Sequence, residues 1–270
     1  MLTESHAEAS VRKRPPGTEH SPGSGIWLDI ADGAATVTIA RQEDGNRLPS
    51  IALNALADAL ETVQNTPDAG GLIVTSGTSI FCSGGVLYDD GSDFVSDRYE
   101  IAISRFFEAW TGRRFPIVTV VDGPATAFGC SIALSSDVVI ATPRASFHLP
   151  ELGGGVIPVY AIAMLEGRVP RRVMHTLVWS RRRLTPELGE HLGVVTELAT
   201  LDGLAAAVDD YRRLFGTIPA AAARGTKELF ENLAGRDAVG LRETAKQSLA
   251  DVVDRIRSGA SDQSYLEVTR

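Results

Sequence analysis

Cysteine is scarce in this chain of 270 residues, which carries two, Cys82 and Cys130. Both stand among small and apolar neighbours, a setting for buried free thiols in a reducing compartment rather than for a disulfide framework. The five histidines, His6, His20, His148, His175 and His191, are too scattered to suggest a metal constellation. No strand is followed by G-x-G-x-x-G and a helix, so no dinucleotide-binding turn is expected. No apolar run approaches the ~18 residues a membrane-spanning helix needs. Cations are outnumbered, 26 Lys and Arg against 34 Asp and Glu, and the net charge of −8 argues against a nucleic-acid binder. The arginine groups Arg113-Arg114, Arg171-Arg172 and Arg181 to Arg183 read as solvated faces. No internal repeat is visible.

The length suits one large core with an appended helical part. Residues 1–25 are rich in Ser, Pro, Gly and charge, and are expected to be disordered, neither a signal peptide nor a membrane segment. Next, Ile26 to Ile30 and Ala35 to Ala40 flank Asp32-Gly33, a strong hairpin signal. Ser50 is a candidate cap for a helix carrying Leu53, Leu56, Ala57, Leu60 and Val63 at helical spacing. Leu72 to Gly77 reads as a buried strand, Tyr88 to Asp97 as a mobile loop, and Arg98 to Trp110 as a helix. The alternation of strands and helices implies parallel strands with right-handed crossovers in an α/β fold.

Three stretches carry the chemistry. Ile117 to Val121 is a short apolar strand, followed by the break Asp122-Gly123-Pro124, the small residues Ala125 to Gly129, and the start of a helix. A helix beginning after such a turn offers unpaired N–H groups to whatever sits above it. Ile80 to Val86, after the 72–77 strand, is a second small-residue turn that lets a ligand approach the backbone. Glu151 follows the strand Val138 to Ala141, between Pro150 and the glycines at 153–155. Two turns offering donors and one carboxylate suit enolate chemistry on a thioester.

At these residues the chain resembles the crotonase (enoyl-CoA hydratase/isomerase) superfamily. FCSGG at 81–85 resembles its Phe-Cys-Ala-Gly-Gly turn. VDGPATAFGCSIALSSDVVIAT at 121–142, FHLPELGGGVIP at 147–158 and LGVVTEL at 192–198 resemble three more of its segments, in order. The resemblance spans roughly residues 26–235. It implies a ββα spiral core over 26–200 and a C-terminal helical region over 201–270 through which the family forms trimers, often paired into hexamers. Two apolar stripes fall in that region, Leu201, Leu204, Ala205, Val208, Tyr211 and Phe215, then Leu241, Ala245, Leu249, Val252, Val253 and Ile256.

Carried over by motif, the oxyanion donors are the backbone N–H groups of Gly85 and Phe128, and Glu151 is the acid or base. Phe128 replaces the family's usual glycine. Its amide survives, but its ring is expected to reshape the pocket, and a positive φ there would strain it. Ser131 stands where hydratases carry a second glutamate, and Val159-Tyr160 where they continue with glycines. A single-carboxylate pocket suits proton shuttling, as in enoyl-CoA isomerases that lack the second glutamate. His148, Tyr160, Asp89 and Asp90 are further pocket candidates. His148 reads more readily as hydrogen-bonded within the fold, and the aspartates as loop charges. The expected substrate is an acyl-CoA or acyl-carrier thioester, with no cofactor beyond coenzyme A as part of the substrate and a cytoplasmic setting. The arginines could then meet coenzyme A phosphates. Alternatives on the same scaffold are hydration or dehydration, thioester hydrolysis, or decarboxylation of a specialised biosynthetic thioester. A catalytically weak partner subunit is a third reading.

Overall fold

The computed structural model describes residues 17–86 and 97–234, with Gly240 and Gln247 in addition. The hairpin forms as its turn chemistry requires. Strands β2 (Ile26–Ala31) and β3 (Ala34–Ile39) pair antiparallel, Ala31 facing Ala34. Asp32 and Gly33 both take positive φ, 51° and 78°, the two-residue turn whose twist matches the strands. The fold starts earlier than residue 26. A short β1 (Thr18–Glu19) pairs with β2, and Ser24 is fully buried, its hydroxyl donating to the His20 carbonyl at 2.6 Å.

Beyond β3 the pairing turns parallel. β4 (Gly71–Ser76), β5 (Ile117–Val121), β7 (Val138–Ala141) and β9 (Glu197–Leu198) complete a seven-stranded sheet in the order β1-β2-β3-β4-β5-β7-β9. All five residues of β5 are buried, as its apolar run demands of a strand covered on both faces. A second, smaller layer is formed by β6 (Pro124–Thr126) and β8 (Ser146–His148), paired parallel. Single bridges join Cys82 to Ala125 on one side and Phe147 to Leu184 on the other, so Cys82, Ala125, Phe147 and Leu184 form one buried row. Each turn of chain therefore supplies a strand to the large sheet, an extended segment to the small layer, and a helix. β5, β6 and α3 (Phe128–Leu134) make one such unit, and β7, β8 and α4 (Val159–Leu165) the next. This is the expected ββα repetition.

Helix α1 (Ser50–Asn65) buries Leu53, Leu56, Leu60 and Val63 and packs against α2 (Asp97–Thr111). Pro49, not Ser50, occupies the N-cap position, and its carbonyl accepts the N–H groups of Ala52 and Leu53. Between sheet and helices lies the main core, with Phe81, Phe106, Phe115 and Phe147 fully enclosed.

After α5 (Arg171–Ser180) and α6 (Pro186–His191), α7 (Leu204–Thr217) covers the other face of the sheet. Its Leu204, Val208, Tyr211 and Phe215 pack with Ala34, Ile73, Val118, Val120 and Ile140. A methyl group at Gly71 would come within 2.6 Å of the Phe215 ring, so the sheet accepts the ring only because that position is glycine. The first stripe thus meets the chain's own sheet, with Leu201 and Ala205 left exposed. The second stripe, Leu241, Ala245, Leu249, Val252, Val253 and Ile256, lies outside the described residues. Helix α8 (Ala220–Leu233) is tied down by Asp137, at the entry to β7. The Asp137 carboxylate receives Lys227 Nζ at 2.5 Å, Arg168 at 3.0 Å, Arg113 at 3.5 Å and the Ile117 N–H at 2.8 Å. Arg113, read from sequence as part of a solvated pair, is in fact buried there, over the Trp110 ring. No described helix is long and apolar enough to cross a membrane.

Candidate active site

The three segments singled out in the sequence each leave the small layer at the same end. Three residues beyond Cys82 comes Gly85, three beyond Ala125 comes Phe128, and four beyond Phe147 comes Glu151. The layer's register therefore brings together positions that lie 43 and 23 residues apart in the chain, from residue numbers 85, 128 and 151.

The direction of each backbone N–H follows from the peptide it belongs to. In a trans peptide the C=O and the next N–H point opposite ways. The Gly84 carbonyl accepts the Leu48 N–H at 2.8 Å, and Val86 N–H donates to Leu48 O at 3.3 Å. The Gly85 N–H consequently points away from Leu48. Gly84 must be glycine: its φ is 97°, and a methyl there would stand 2.8 Å from Ala127 Cβ and 3.4 Å from Phe128 N. The two turns are in direct contact.

The second turn is built the same way. The Ala127 carbonyl is held by the N–H groups of Cys130 at 2.9 Å and Ser131 at 3.3 Å, so the Phe128 N–H points outward from the start of α3. Ala127 N–H donates to His148 O at 2.8 Å and locks this turn to β8. The positive φ falls on Ala127 (φ 53°, ψ −127°), so Phe128 is spared the strain that a positive φ would bring to it. The Phe128 ring packs in the main core. It is 6% exposed and meets Phe106 edge-on at 5.5 Å inside the core.

Glu151 opens a 3-10 turn, Glu151–Gly154, closed by Gly155 at φ 74°. Its Oε2 is buried and has no hydrogen-bond partner among the described residues. Burial raises its pKa above the ordinary carboxylate value, and a bond to its own backbone N–H offsets part of that rise. A half-buried carboxylate with one oxygen free of partners among the described residues is a group able to accept and return a proton.

Each of the other described candidates makes a hydrogen bond within the fold. Ser131 is fully buried, its hydroxyl directed back to the Ala127 carbonyl at 3.4 Å. Tyr160 shares a hydrogen bond with Ser104 at 2.8 Å and packs edge-on against Phe107. His148 Nε2 lies 3.0 Å from the Arg181 carbonyl. A carbonyl only accepts, so Nε2 carries the proton, leaving Nδ1 as a buried lone-pair nitrogen with no partner among the described residues. Burial, with Arg183 and Arg181 nearby, lowers the His148 pKa despite that bond, which keeps the ring neutral. Asp89 and Asp90 lie outside the described residues. Cys82 and Cys130 are buried free thiols. Burial pushes Cys82 to about 12 and raises Cys130 as well, so neither is a thiolate nucleophile at neutral pH. Among the described residues no three His, Cys, Asp or Glu side chains are grouped as metal ligands.

Sequence reasoning missed Tyr99. A methyl group at Gly85 would overlap its hydroxyl, which is carried on the same buried stripe of α2 as Ile103, Phe106 and Trp110. The helical spacing of 99, 103, 106 and 110 was the available signal. Of the arginines, Arg181 reaches the turn that carries Glu151, its guanidinium lying over Gly153.

A family model described as enoyl-CoA hydratase/isomerase matches residues 29–270. A relative in Mycobacterium tuberculosis named "Probable enoyl-CoA hydratase echA8" is 26% identical over 207 residues, 75% of this chain and 79% of that protein. Among solved structures, an enoyl-CoA hydratase from Mycobacterium avium subsp. paratuberculosis is 29% identical with a TM-score of 0.71, covering 85% of this chain and 94% of that one. The fold also matches an enoyl-CoA hydratase from Mycobacterium smegmatis at a TM-score of 0.76 and 21% identity, over 84% of this chain and 90% of that one.

Proposed function

The chain belongs to the enoyl-CoA hydratase/isomerase (crotonase) family and is an enzyme of the hydratase/isomerase type, and from that premise we propose that it moves the double bond of an enoyl thioester. The substrate of this reading is a 3-enoyl-CoA or the same acyl chain on a carrier protein. The thioester oxygen receives the N–H groups of Gly85 and Phe128. The Glu151 carboxylate removes a proton from C2, the electron pair moves through the carbonyl carbon, and a dienolate forms whose oxygen is held by the two donors. The protonated Glu151, its acidic proton exchanging with solvent while the dienolate persists, then gives a proton to C4, the double bond ends between C2 and C3, and the carboxylate is regenerated. Atoms balance with no water and no cofactor beyond the carrier of the thioester.

One observation carries the choice of isomerisation: the second carboxylate position holds Ser131, buried and bonded to the Ala127 carbonyl. A serine so placed is poorly suited to hold and activate a water beside Glu151. The raised Glu151 pKa supports the same reading, since a proton shuttle works best with its pKa closer to the working pH. Hydration is the second reading, favoured by the names of the relatives, which are hydratases. A homotrimer or hexamer, as the family resemblance implies, in the cytoplasm that the two free cysteines suggest, belongs to the same proposal.

Solvent-deuterium exchange followed by mass spectrometry on 3-enoyl-CoA and 2-enoyl-CoA, with wild type and Glu151→Gln in parallel, tests the proposal. Double-bond migration with label uptake, lost in Glu151→Gln, is the expected result. Rapid hydration of crotonyl-CoA by the purified protein would replace it with the second reading.

A further inference from the structure

Asn46 is fully buried and takes a left-handed backbone, φ 57°, just after Gly45 at φ 68°. Asparagine tolerates that conformation better than most residues. Its amide group is the hub of the segment that leads into the Gly84–Gly85 turn. Nδ2 donates to Ile80 O at 2.7 Å and Phe81 O at 3.1 Å, and reaches Ser76 Oγ at 2.8 Å, Thr78 Oγ1 at 3.0 Å and Ile39 O at 3.3 Å. Oδ1 accepts the Arg41 N–H at 2.7 Å, which fixes the orientation of the amide. The Ser76 and Thr78 hydroxyls add their own bonds to Ile80 O, at 2.7 and 2.8 Å.

Two residues later, Leu48 grips the far end of the same turn through Gly84 O and Val86 N. The segment 46–48 thus holds residues 80–86 at both ends, Asn46 at the entrance and Leu48 at the exit. The left-handed turn at Asn46 aims the Leu48 N–H at Gly84 O, and that bond sets which way the Gly85 N–H points. An aspartate in its place would set a carboxylate oxygen against the carbonyls of Ile39, Ile80 and Phe81. A residue without the amide would leave those carbonyls short of a buried donor.

We propose that Asn46 is a positioning residue for the Gly85 N–H, acting through the 80–86 turn rather than touching substrate. The proposal rests on the reading that Gly85 donates to the thioester oxygen. Asn46→Gly retains the left-handed backbone and removes the amide, so it isolates the side chain. Thr78→Val loosens the same hub more gently. Each is compared with wild type by kcat and KM for 3-enoyl-CoA and by the absorption of bound cinnamoyl-CoA. That band moves to longer wavelength as the thioester carbonyl is polarised.

The expected result for Asn46→Gly is a fall in kcat of roughly 10- to 100-fold with KM changed by no more than about threefold, and a smaller red shift per bound ligand. Thr78→Val is expected to move both readouts in the same direction by less, and it carries the test if Asn46→Gly does not fold. A full red shift and wild-type kcat in the folded variants, with only the melting temperature lowered, would overturn the positioning role and leave the donor role of Gly85 standing. No red shift in the wild-type protein would overturn the donor role and this proposal together.

Discussion

Lys227 and Asp137 meet at 2.5 Å across 90 residues of chain, joining α8 to the entry of β7. Lys227 is 5% exposed and Arg113 4%. Burial alone would raise the Asp137 pKa, but Arg113, Lys227 and the Ile117 N–H outweigh it and hold the carboxyl below its usual value. Burial in turn lowers Arg113 to about 10 against the pull of Asp137. Asp137→Asn leaves the buried Arg113 without its counter-ion and the buried Lys227 with Glu231 alone, at 2.8 Å. It is expected to cost about 3 kcal/mol in urea unfolding, the size found when one partner of a buried pair is removed. The pH dependence has a fixed sign. A depressed carboxylate stabilises the fold above its unfolded pKa of about 3.9, and that stability is lost as pH falls through the lower folded value. The variant is therefore expected to show a shallower acid limb than wild type. An identical acid limb would refute the role given to Asp137.

Glu151 behaves oppositely. Its folded pKa is raised by burial, so the ionised form is penalised in the native state. The penalty is present above the folded pKa and absent below the unfolded value of about 4.3. Glu151→Gln is accordingly expected to be more stable than wild type at pH 7 and no more stable at pH 3, read by thermal unfolding at both. Its kcat is expected to fall by about 10²–10⁴, the usual contribution of a general acid or base. In wild type, kcat/KM should rise with pH through a value above 4.3, the ordinary glutamate pKa of about that size. A variant both less stable at neutral pH and fully active would contradict both parts.

The elements that were legible from sequence are those fixed locally. Asp32-Gly33 specifies its turn whatever surrounds it, and the apolar runs of β4, β5 and β7 are short and bounded by glycine, proline or polar residues. The Glu151 turn was legible for the same reason, a proline before and glycines after. What was missed is held together at a distance. Arg113 looked solvated because its counter-ion lies 24 residues on, at Asp137. Asn46 gave no signal in the sequence because its partners at Ser76 and Thr78 lie 30 and 32 residues away. Ser50 lost the cap position to Pro49, whose fixed φ (−69°) suits the entry to α1. No pattern in Ala125 to Gly129 tells which residue takes the positive φ. That choice is made by the contacts of Ala127 with His148 O and Gly84.

Phe128 separates packing from chemistry. Its ring contributes to the core beside Phe106, while its amide is the donor proposed for the thioester oxygen. Phe128→Ala removes the ring and keeps the N–H. The expected cost is about 3–5 kcal/mol in unfolding free energy, the range for a buried phenylalanine. Per folded molecule, kcat should stay within about threefold of wild type, since the donor is backbone. A loss of kcat far beyond that, with the fold intact by circular dichroism, would mean that the ring shapes the acyl pocket after all.

Ala127 stores strain where the two turns touch. Its φ of 53° with ψ of −127° is a conformation glycine adopts freely and alanine does not. Strain of this kind costs about 1–3 kcal/mol, whereas a glycine there loses about 0.5–1 kcal/mol more entropy on folding. The difference favours glycine, so Ala127→Gly is expected to raise stability by about 1 kcal/mol, measured by chemical denaturation. Its bonds to His148 O, Cys130 N and Ser131 N are backbone bonds and remain available. The methyl group, however, is what faces Gly84, 2.8 Å from where a side chain at that glycine would begin. Removing it frees the Phe128 N–H to shift relative to Gly85. The variant is therefore expected to be more stable and slower, with kcat reduced about two- to tenfold by the looser geometry. A variant that is more stable and equally fast would show that the alanine is dispensable to the alignment of the two donors, and one that is less stable would show that contacts of the methyl group outweigh the strain.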